Sequence, residues 1–348
     1  MNHLGNVEPL SHMLGFMNPE STGHEHAKTR MGYAQQYFLD GDASIQEIDH
    51  EASPFDVLEL DGDRTLVYSD GGDGTVRRVI AAMAGIVPDN PERTALNLST
   101  YREIAQYLRY FAGAGGNANN WPLSAHDRFA LRPEKLAQAT VRLGYHRPIL
   151  YEVTDEQGEV VKSNVATSGL GLGVAAIAAL QLEKAKQEFE SIGTMRRQLG
   201  ETAIVLDAAK HAPPFAFDLS VIAGETREQR MTDMTGFELI KSKIYAKQGR
   251  TKVNVDDTKW QPVMTSYAPN RVSHALQVAS TVARMKSGRH ALPAEDLRGQ
   301  ELRVRITSEQ PVPFHADGET DVDSVILPGQ TLRVRLAQIA IPTMMAYS

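Results

Sequence analysis

Two stretches of this sequence hold residue types suited to phosphoryl chemistry, and each also has a plain structural explanation. The first is Asp70-Gly71-Gly72-Asp73-Gly74-Thr75. Glycines let a backbone take positive φ and let a ligand approach the main chain closely. An acid in such a loop repels phosphate unless it acts through a metal ion or its bound water, or binds a sugar hydroxyl. Asp73 is therefore better suited to helping place Mg²⁺ than to touching phosphate. A structural turn with a helix N-cap would also use Gly-Asp-Gly-Thr. The second stretch runs from Pro311-Val312-Pro313-Phe314 into His315-Ala316-Asp317-Gly318-Glu319. A carboxylate there could accept the proton of a hydroxyl attacking phosphorus, a reaction that depends on alignment and charge neutralisation with modest base assistance. Asp321 and Asp323 follow closely, so an exposed acidic turn fits the same residues. A further acidic pair, Asp256-Asp257, follows Val253-Asn254-Val255.

The elements around these stretches decide what they can do. Thr65 to Tyr68 is a short apolar segment leading into the loop. Behind it Val76, Val79, Ile80 and Met83 fall at helical spacing. A helix placed so aims its free N–H groups and positive dipole end at the loop, which suits phosphate oxygens. There is no Gly-x-x-x-x-Gly-Lys-Ser/Thr, so this is not a Walker loop. Met13 to Met17 predicts a strand that stops at Asn18-Pro19. His26 to Phe38 reads as a helix, Phe55 to Leu60 and Ala95 to Leu98 as strand-like, and Tyr101 to Phe111 as a helix before the Gly/Asn-rich loop Gly113 to Asn120. Strand, loop and helix in alternation predict a parallel α/β sheet with helices over residues 1–143.

Beyond Leu143 the pattern changes. Pro148 to Val153 and Glu159 to Lys162 flank Asp155-Glu156-Gln157-Gly158 and predict a β-hairpin. One helix is expected over Gly173 to Arg197. Strands are expected at Ala203 to Leu206, Phe215 to Ile222, Phe237 to Tyr245, Glu301 to Ile306, Val325 to Leu327 and Thr331 to Ala337. Runs of strands after a βα repeat predict a second, mainly antiparallel β-sandwich domain over residues 144–348, with the extreme C-terminus packing back on the first.

Composition removes several function classes. The 348 residues contain no cysteine, which excludes disulfides, thiolate catalysis and cysteine-ligated zinc and suits a reducing cytoplasm. A formal net charge of −7 argues against a general nucleic-acid binder. No apolar run is long enough for a transmembrane helix, and Met1 to Ser11 lacks the features of a secretory signal. A local basic cluster, Arg284, Lys286, Arg289 and His290, reads as a solvated helix end or as a contact with an anionic lipid surface.

Gly71-Gly72-Asp73-Gly74-Thr75 resembles the nucleotide-binding signature of the diacylglycerol kinase, sphingosine kinase and NAD kinase superfamily. Three more segments in the expected order extend the resemblance over nearly the whole chain. Asn18-Pro19-Glu20-Ser21-Thr22-Gly23 is similar to the family's Asn-Pro-x-Ser-Gly turn with one residue more, Gly116-Asn117-Ala118-Asn119-Asn120 to its Gly-Thr-x-Asn-Asp loop, and Asp317-Gly318-Glu319 to its Asp-Gly-Glu. The last of these marks the lipid-kinase branch, because NAD kinases lack it.

The resemblance implies transfer of the γ-phosphate of ATP to a lipid hydroxyl, such as that of diacylglycerol or a sphingoid lipid. It implies ATP contacts at Asn18, Pro19, Glu20, Ser21, Thr22, Gly71, Gly72, Asp73, Gly74, Thr75, Asn117 and Asn119. Mg²⁺ would be placed by Asp73, Asn120 and Asp257, the last through likeness of Asp256-Asp257 to the family's Asp-Asp-Gly. Asp317 would be the base, with Glu319 close to the phosphates or metal. The expected setting is the cytoplasm, with a lipid-like acceptor met at a membrane surface, no nucleic acid, and room for a homodimer.

The sequence also departs from the pattern. Asn120 stands in place of an aspartate, Asn117 of a threonine, His24 of a lysine and Thr258 of a glycine. Asparagine keeps the shape of aspartate without its charge and is a weaker Mg²⁺ partner. A kinase of a soluble small molecule, NAD kinase-like included, and a catalytically degenerate lipid- or nucleotide-binding protein are the alternatives. Gly169 to Ala175 superficially matches a dinucleotide fingerprint, but its place in the second domain favours close backbone packing. Trp121 and Trp260 read as core or cleft-wall residues.

Overall fold

The computed structural model describes residues 10–19, 24–49, 64–84, 108–114, 120–126, 133–136, 138–185, 194–223, 225–242, 244–245, 249–251, 253–256, 258–267, 270–287, 295–296, 298–318 and 324–347. Within them the chain builds two large sheets and a two-stranded one that pairs Ile244–Tyr245 with Gly249–Arg250. The first draws on β1 (Leu10–Met17), β2 (Leu39–Asp49), β3 (Thr65–Gly71), β4 (Leu108–Ala114) and β5 (Thr140–His146), with α1 (Ala27–Phe38), α2 (Asp73–Met83), α3 (Asn120–Ala125) and α4 (Pro133–Leu136). The second draws on β6 (Ile149–Thr154), β7 (Val160–Ala166), β8 (Gly169–Gly173), β9 (Phe215–Ala223), β10 (Glu225–Ile240), β11 (Lys259–Ser266), β12 (Glu301–Ile306), β13 (Val312–Ala316), β14 (Val325–Ile326) and β15 (Thr331–Leu336). Three helices lie along this half: α5 (Val174–Lys184), α6 (Thr194–His211) and α7 (Arg271–Lys286). The final strand, β16 (Ile341–Tyr347), returns to the first sheet.

Strand order in the first sheet is β2-β1-β3-β4-β16-β5. The first four strands run parallel, and β16 is parallel to β4 and antiparallel to β5. Every residue of β3 is buried, as a central parallel strand covered on both faces requires. Residues Leu108 to Phe111 belong to β4, where Leu108, Tyr110 and Phe111 are buried, rather than to a helix. Their helix-like spacing is overridden because the strand is paired to β3 on one side and β16 on the other.

The second sheet follows the path β14-β13-β8-β10-β9-β12-β15-β6-β7, with β11 added to β10. It curls until its ends meet: Tyr151 of β6 packs edge-on against Phe314 of β13 with ring centroids 5.2 Å apart, though five strands lie between them along the path. The enclosed core includes Phe217, Phe237, Trp260, Leu302 and Val334. Ala203 to Leu206 lies inside α6, not in a strand. Four consecutive apolar residues carry no period of their own, and here their flanks continue the helix. Gly173 to Arg197 is not one helix, since α5 ends at Lys184 and α6 begins at Thr194. Among the described residues no helix is long and apolar enough to cross a membrane.

Both halves share a core. Val165 of β7, Val255 and Ile339 pack with Val67, Val76, Val79 and Ile80 of β3 and α2. The glycine pattern of β8 serves the second sheet, not a dinucleotide. A Cβ on Gly171 would lie 2.3 Å from His315 Nε2, and one on Gly173, at φ +75°, would lie 2.2 Å from the Thr235 carbonyl oxygen. Gly173→Ala should therefore lower the unfolding free energy by about 1–3 kcal/mol, measured by urea denaturation. An unchanged midpoint would show that β8 and β10 are not held at this separation.

Candidate functional site

β1 leads through α1 to β2 on one side, and β3 lies on the other. The carboxyl ends of β1 and β3 thus form a topological switch point, where open α/β sheets leave a crevice for ligands. Asn18 and Pro19 sit at the end of β1, and Gly71 to Thr75 at the end of β3 and the start of α2. The two segments touch: Asn18 N–H donates to the Asp70 carbonyl at 3.0 Å, and Asn18 Nδ2 donates to Thr75 Oγ1 at 3.4 Å. Gly72 caps α2 in an extended conformation, φ −84°, without a side chain to occupy the helix's first N–H groups. A helix N-terminus placed at such a crevice suits an anionic ligand.

The loop glycines act differently from their usual role. Neither Gly71 nor Gly72 has positive φ. Gly71 is required because Thr75 folds back on it, its Oγ1 lying 2.3 Å from where a Cβ would be. Asp70 is no ligand group. Arg30 of α1 grips it through Nε at 2.7 Å and Nη2 at 2.6 Å, and Tyr68 donates to it at 2.7 Å. Burial opposes the Arg30 charge, but Asp70 outweighs it and holds the guanidinium pKa above its ordinary value. This buried pair anchors α1 to the strand that carries the loop. Asp73, on the next turn, is also buried. Burial pushes the Tyr110 phenol well up, although its bond to Ser69 opposes this, and the nearby Asp73 charge adds to the rise.

Just past β13, Asp317 occupies a turn in which it and Gly318 both take positive φ, +57° and +81°. Its buried carboxylate accepts five hydrogen bonds. Three come from the backbone N–H groups of Thr167 at 2.7 Å, Ser168 at 2.7 Å and Gly169 at 3.0 Å. Two come from the hydroxyls of Thr167 at 3.0 Å and Ser168 at 3.1 Å. Thr167 stands two residues beyond Val165, which shares its core with Val76 and Val79 of α2. The turn and the loop are thereby carried on the two sides of one packed junction. His315 steadies the turn by accepting the Gly318 N–H on Nδ1 at 3.1 Å.

Lys241 and His146 belong to the same junction and carry no signal that pattern reasoning could use. Lys241 is fully buried, its N–H donates to the Ser168 carbonyl at 2.7 Å, and its Nζ donates to the Val255 carbonyl. His146 Nδ1 lies 2.7 Å from that same oxygen. Burial and then the Lys241 charge hold the His146 pKa well below its ordinary value. Asp256, next along, pairs with Arg142 at 3.1 Å.

Of the remaining expected site residues, Glu20, Ser21, Thr22, Asn117, Asn119, Asp257 and Glu319 lie outside the described residues. Asn120 opens α3. Among the described residues, no three His, Asp or Glu side chains group to hold a metal ion.

No protein-family model matches the sequence, and no curated protein matches it significantly. The fold does match solved structures. One is a "putative diacylglycerol kinase" from Bacillus anthracis, with a TM-score of 0.56 at 12% identity, over 96% of this chain and 97% of that one. Another structure described in the same words has a TM-score of 0.54 at 13% identity, and a third, titled a diacylglycerol kinase of the same organism, has 0.54 at 12%, both over the same shares of the two chains. Identity this low shows a shared two-sheet fold.

Burial lowers the pKa of His315 to about 4 and of His126 to about 3, despite the latter's backbone partner at Ala112. Unfolded, each takes its proton near an ordinary pKa of about 6.5. Between those values the unfolded chain binds protons that the native chain refuses, so stability falls as the pH drops from about 6.5 towards 4. His315→Asn keeps an acceptor for Gly318 while removing one titration. It should flatten the acid limb by on the order of 2 kcal/mol, measured by urea unfolding across that range. A limb as steep as that of the unsubstituted protein would rule out a native His315 held neutral.

Proposed function

We propose that this protein transfers the γ-phosphate of ATP to a hydroxyl of a hydrophobic alcohol, such as diacylglycerol or a sphingoid lipid. The observation that carries the proposal is the meeting of Asn18-Pro19 with Gly71 to Thr75 at the switch point, across one packed core from the Asp317 turn. The likeness in fold to proteins described as diacylglycerol kinases supports the lipid-kinase choice over others.

In this reading the uncapped N–H groups of α2 and the Asn18 amide face the phosphates, and Thr75 orients that amide. Glu20, Ser21, Thr22, Asn117 and Asn119 are proposed to complete the ATP contacts. Asp73 offers the hard carboxylate oxygen that Mg²⁺ prefers, with Asn120 and Asp257 proposed beside it. The ion would neutralise phosphate charge. Glu319 is proposed to stand near the phosphates.

Asp317 takes the acceptor's proton. A carboxylate offers about four lone-pair sites, and five donors leave none idle. The three backbone donors are fixed, but the Thr167 and Ser168 hydroxyls rotate. When the acceptor hydroxyl replaces one of them, its O–H bond breaks towards Asp317 as its oxygen bonds to the γ-phosphorus. The bond to the bridging oxygen breaks, and ADP leaves. The same five-donor clamp favours one rival, a protein that binds nucleotide or lipid without turnover, because every lone pair of the carboxylate is already engaged.

The test is phosphoryl transfer from labelled ATP to a panel of diacylglycerols, sphingoid bases and soluble acceptors, NAD included. Transfer to a lipid alcohol is expected, falling at least about 100-fold in Asp317→Asn. That variant sets an amide against backbone donors, so its fold must be checked by circular dichroism. ATP binding with no transfer to any acceptor would select the non-enzymatic rival. Transfer to a soluble acceptor alone would overturn the lipid assignment.

A further inference from the structure

Helix α7 presents an outward face that the junction does not use. The helix starts at Asn270, whose Oδ1 accepts the Ser273 N–H at 2.8 Å as an N-cap. His274 and Val278 point inward, and Val278 packs with Val174 of α5 and Ala209 of α6. Residues two positions away lie on the opposite side of a helix. Val272 and Leu276 accordingly stand 68% and 66% exposed, more than any other large apolar side chain among the described residues. Tyr267, 40% exposed, flanks the first turn with its ring 5.6 Å from that of His274.

Val272, Leu276, Ser280 and Arg284 follow at intervals of four and form one stripe, apolar at its start and basic at its end. Arg284 is exposed, its guanidinium 3.3 Å from Ser280 Oγ. The helix carries Arg271, Arg284 and Lys286 and no Asp or Glu, in a chain whose net charge is −7. Two aliphatic side chains are too few for the core of a protein interface of about 800 Å² per partner. A bilayer accepts a few apolar anchors together with cations at its headgroups.

We infer that the outward face of α7 docks the protein on an anionic phospholipid bilayer. Val272 and Leu276 enter the acyl boundary, and Arg284 meets the phosphate headgroups. The inference rests on the lipid-kinase reading for its purpose, since it supplies the surface on which a hydrophobic acceptor is met.

The test is co-sedimentation of the full chain with phosphatidylcholine vesicles, with and without phosphatidylglycerol, in the absence of ATP and acceptor. Binding should require phosphatidylglycerol and weaken as salt is raised. Val272→Asp combined with Leu276→Asp, and separately Arg284→Glu, should each lower the partition at least about ten-fold. Circular dichroism and Tm should stay unchanged, because these side chains are exposed. Vesicle binding independent of phosphatidylglycerol, or undiminished in both variants, would overturn the inference. So would conversion of a dimer to a monomer by the aspartate pair with vesicle binding intact, since the face would then be a subunit contact. Vesicle binding without lipid turnover would remove the kinase reading and keep the docking face. Turnover on detergent-dispersed lipid without vesicle binding would do the reverse.

Discussion

A carboxylate taken out of water must be met by donors, and much of the junction in this protein is arranged to meet one. Asp317 lies against three consecutive backbone N–H groups and two hydroxyls from Thr167, Ser168 and Gly169. To present it there the chain accepts positive φ at Asp317 itself, a conformation that asparagine and aspartate tolerate better than most residues. The Asp317 N–H also donates to the Gly169 carbonyl at 2.8 Å. The C-terminal turn and the start of β8 therefore cannot move apart without exposing a buried charge. Any part Asp317 takes in chemistry is played within that restraint.

Two further buried ionic groups fix segments near the site, one within each half. Arg30 and Tyr68 close on Asp70 and tie the first helix to the strand that ends in the Gly71 to Thr75 loop. Lys241 joins the Ser168 carbonyl to the Val255 carbonyl and so links the Asp317 clamp to the segment before Asp256. Each is held by geometry that a small displacement would spoil, because interiors pack densely and buried charges need their partners. The turn and the acidic segment are in this way linked through Ser168, Lys241 and Val255, and Val255 shares a core with the helix that follows the loop.

Much of the architecture was legible in advance. The unbroken apolar run of β3, the helical spacing of Val76, Val79, Ile80 and Met83, and the hairpin around Asp155 to Gly158 each produced the element expected. Leu108 to Phe111 did not, because pairing to two neighbouring strands overrides a helix-like spacing, and Ala203 to Leu206 did not, because a short apolar run carries no period that separates helix from strand. Of helix α7 only the basic end at Arg284 and Lys286 was legible, since the one cap residue Asn270 among small polar residues is weak evidence of where a helix starts. Gly71 was legible as a glycine position, but its reason was not. It makes room for Thr75 from the same loop, whereas the sequence suggested room for a ligand.

By itself the sequence determined the order of the elements, the two-part division into a parallel α/β sheet and an antiparallel one, and the residues that concentrate at loop ends. These follow from local periodicity and from the conformational demands of glycine and proline, which act over a few residues. Tertiary structure alone decided that Asn18 touches Thr75, that Asp70 is taken by Arg30, that Asp317 is gripped by a loop 150 residues away, and that β16 slots between β4 and β5. Those outcomes depend on which distant segments pack together. A buried charge finds its donors only once distant segments have paired, as β13 pairs with β8 beside Asp317, and no local pattern encodes that pairing.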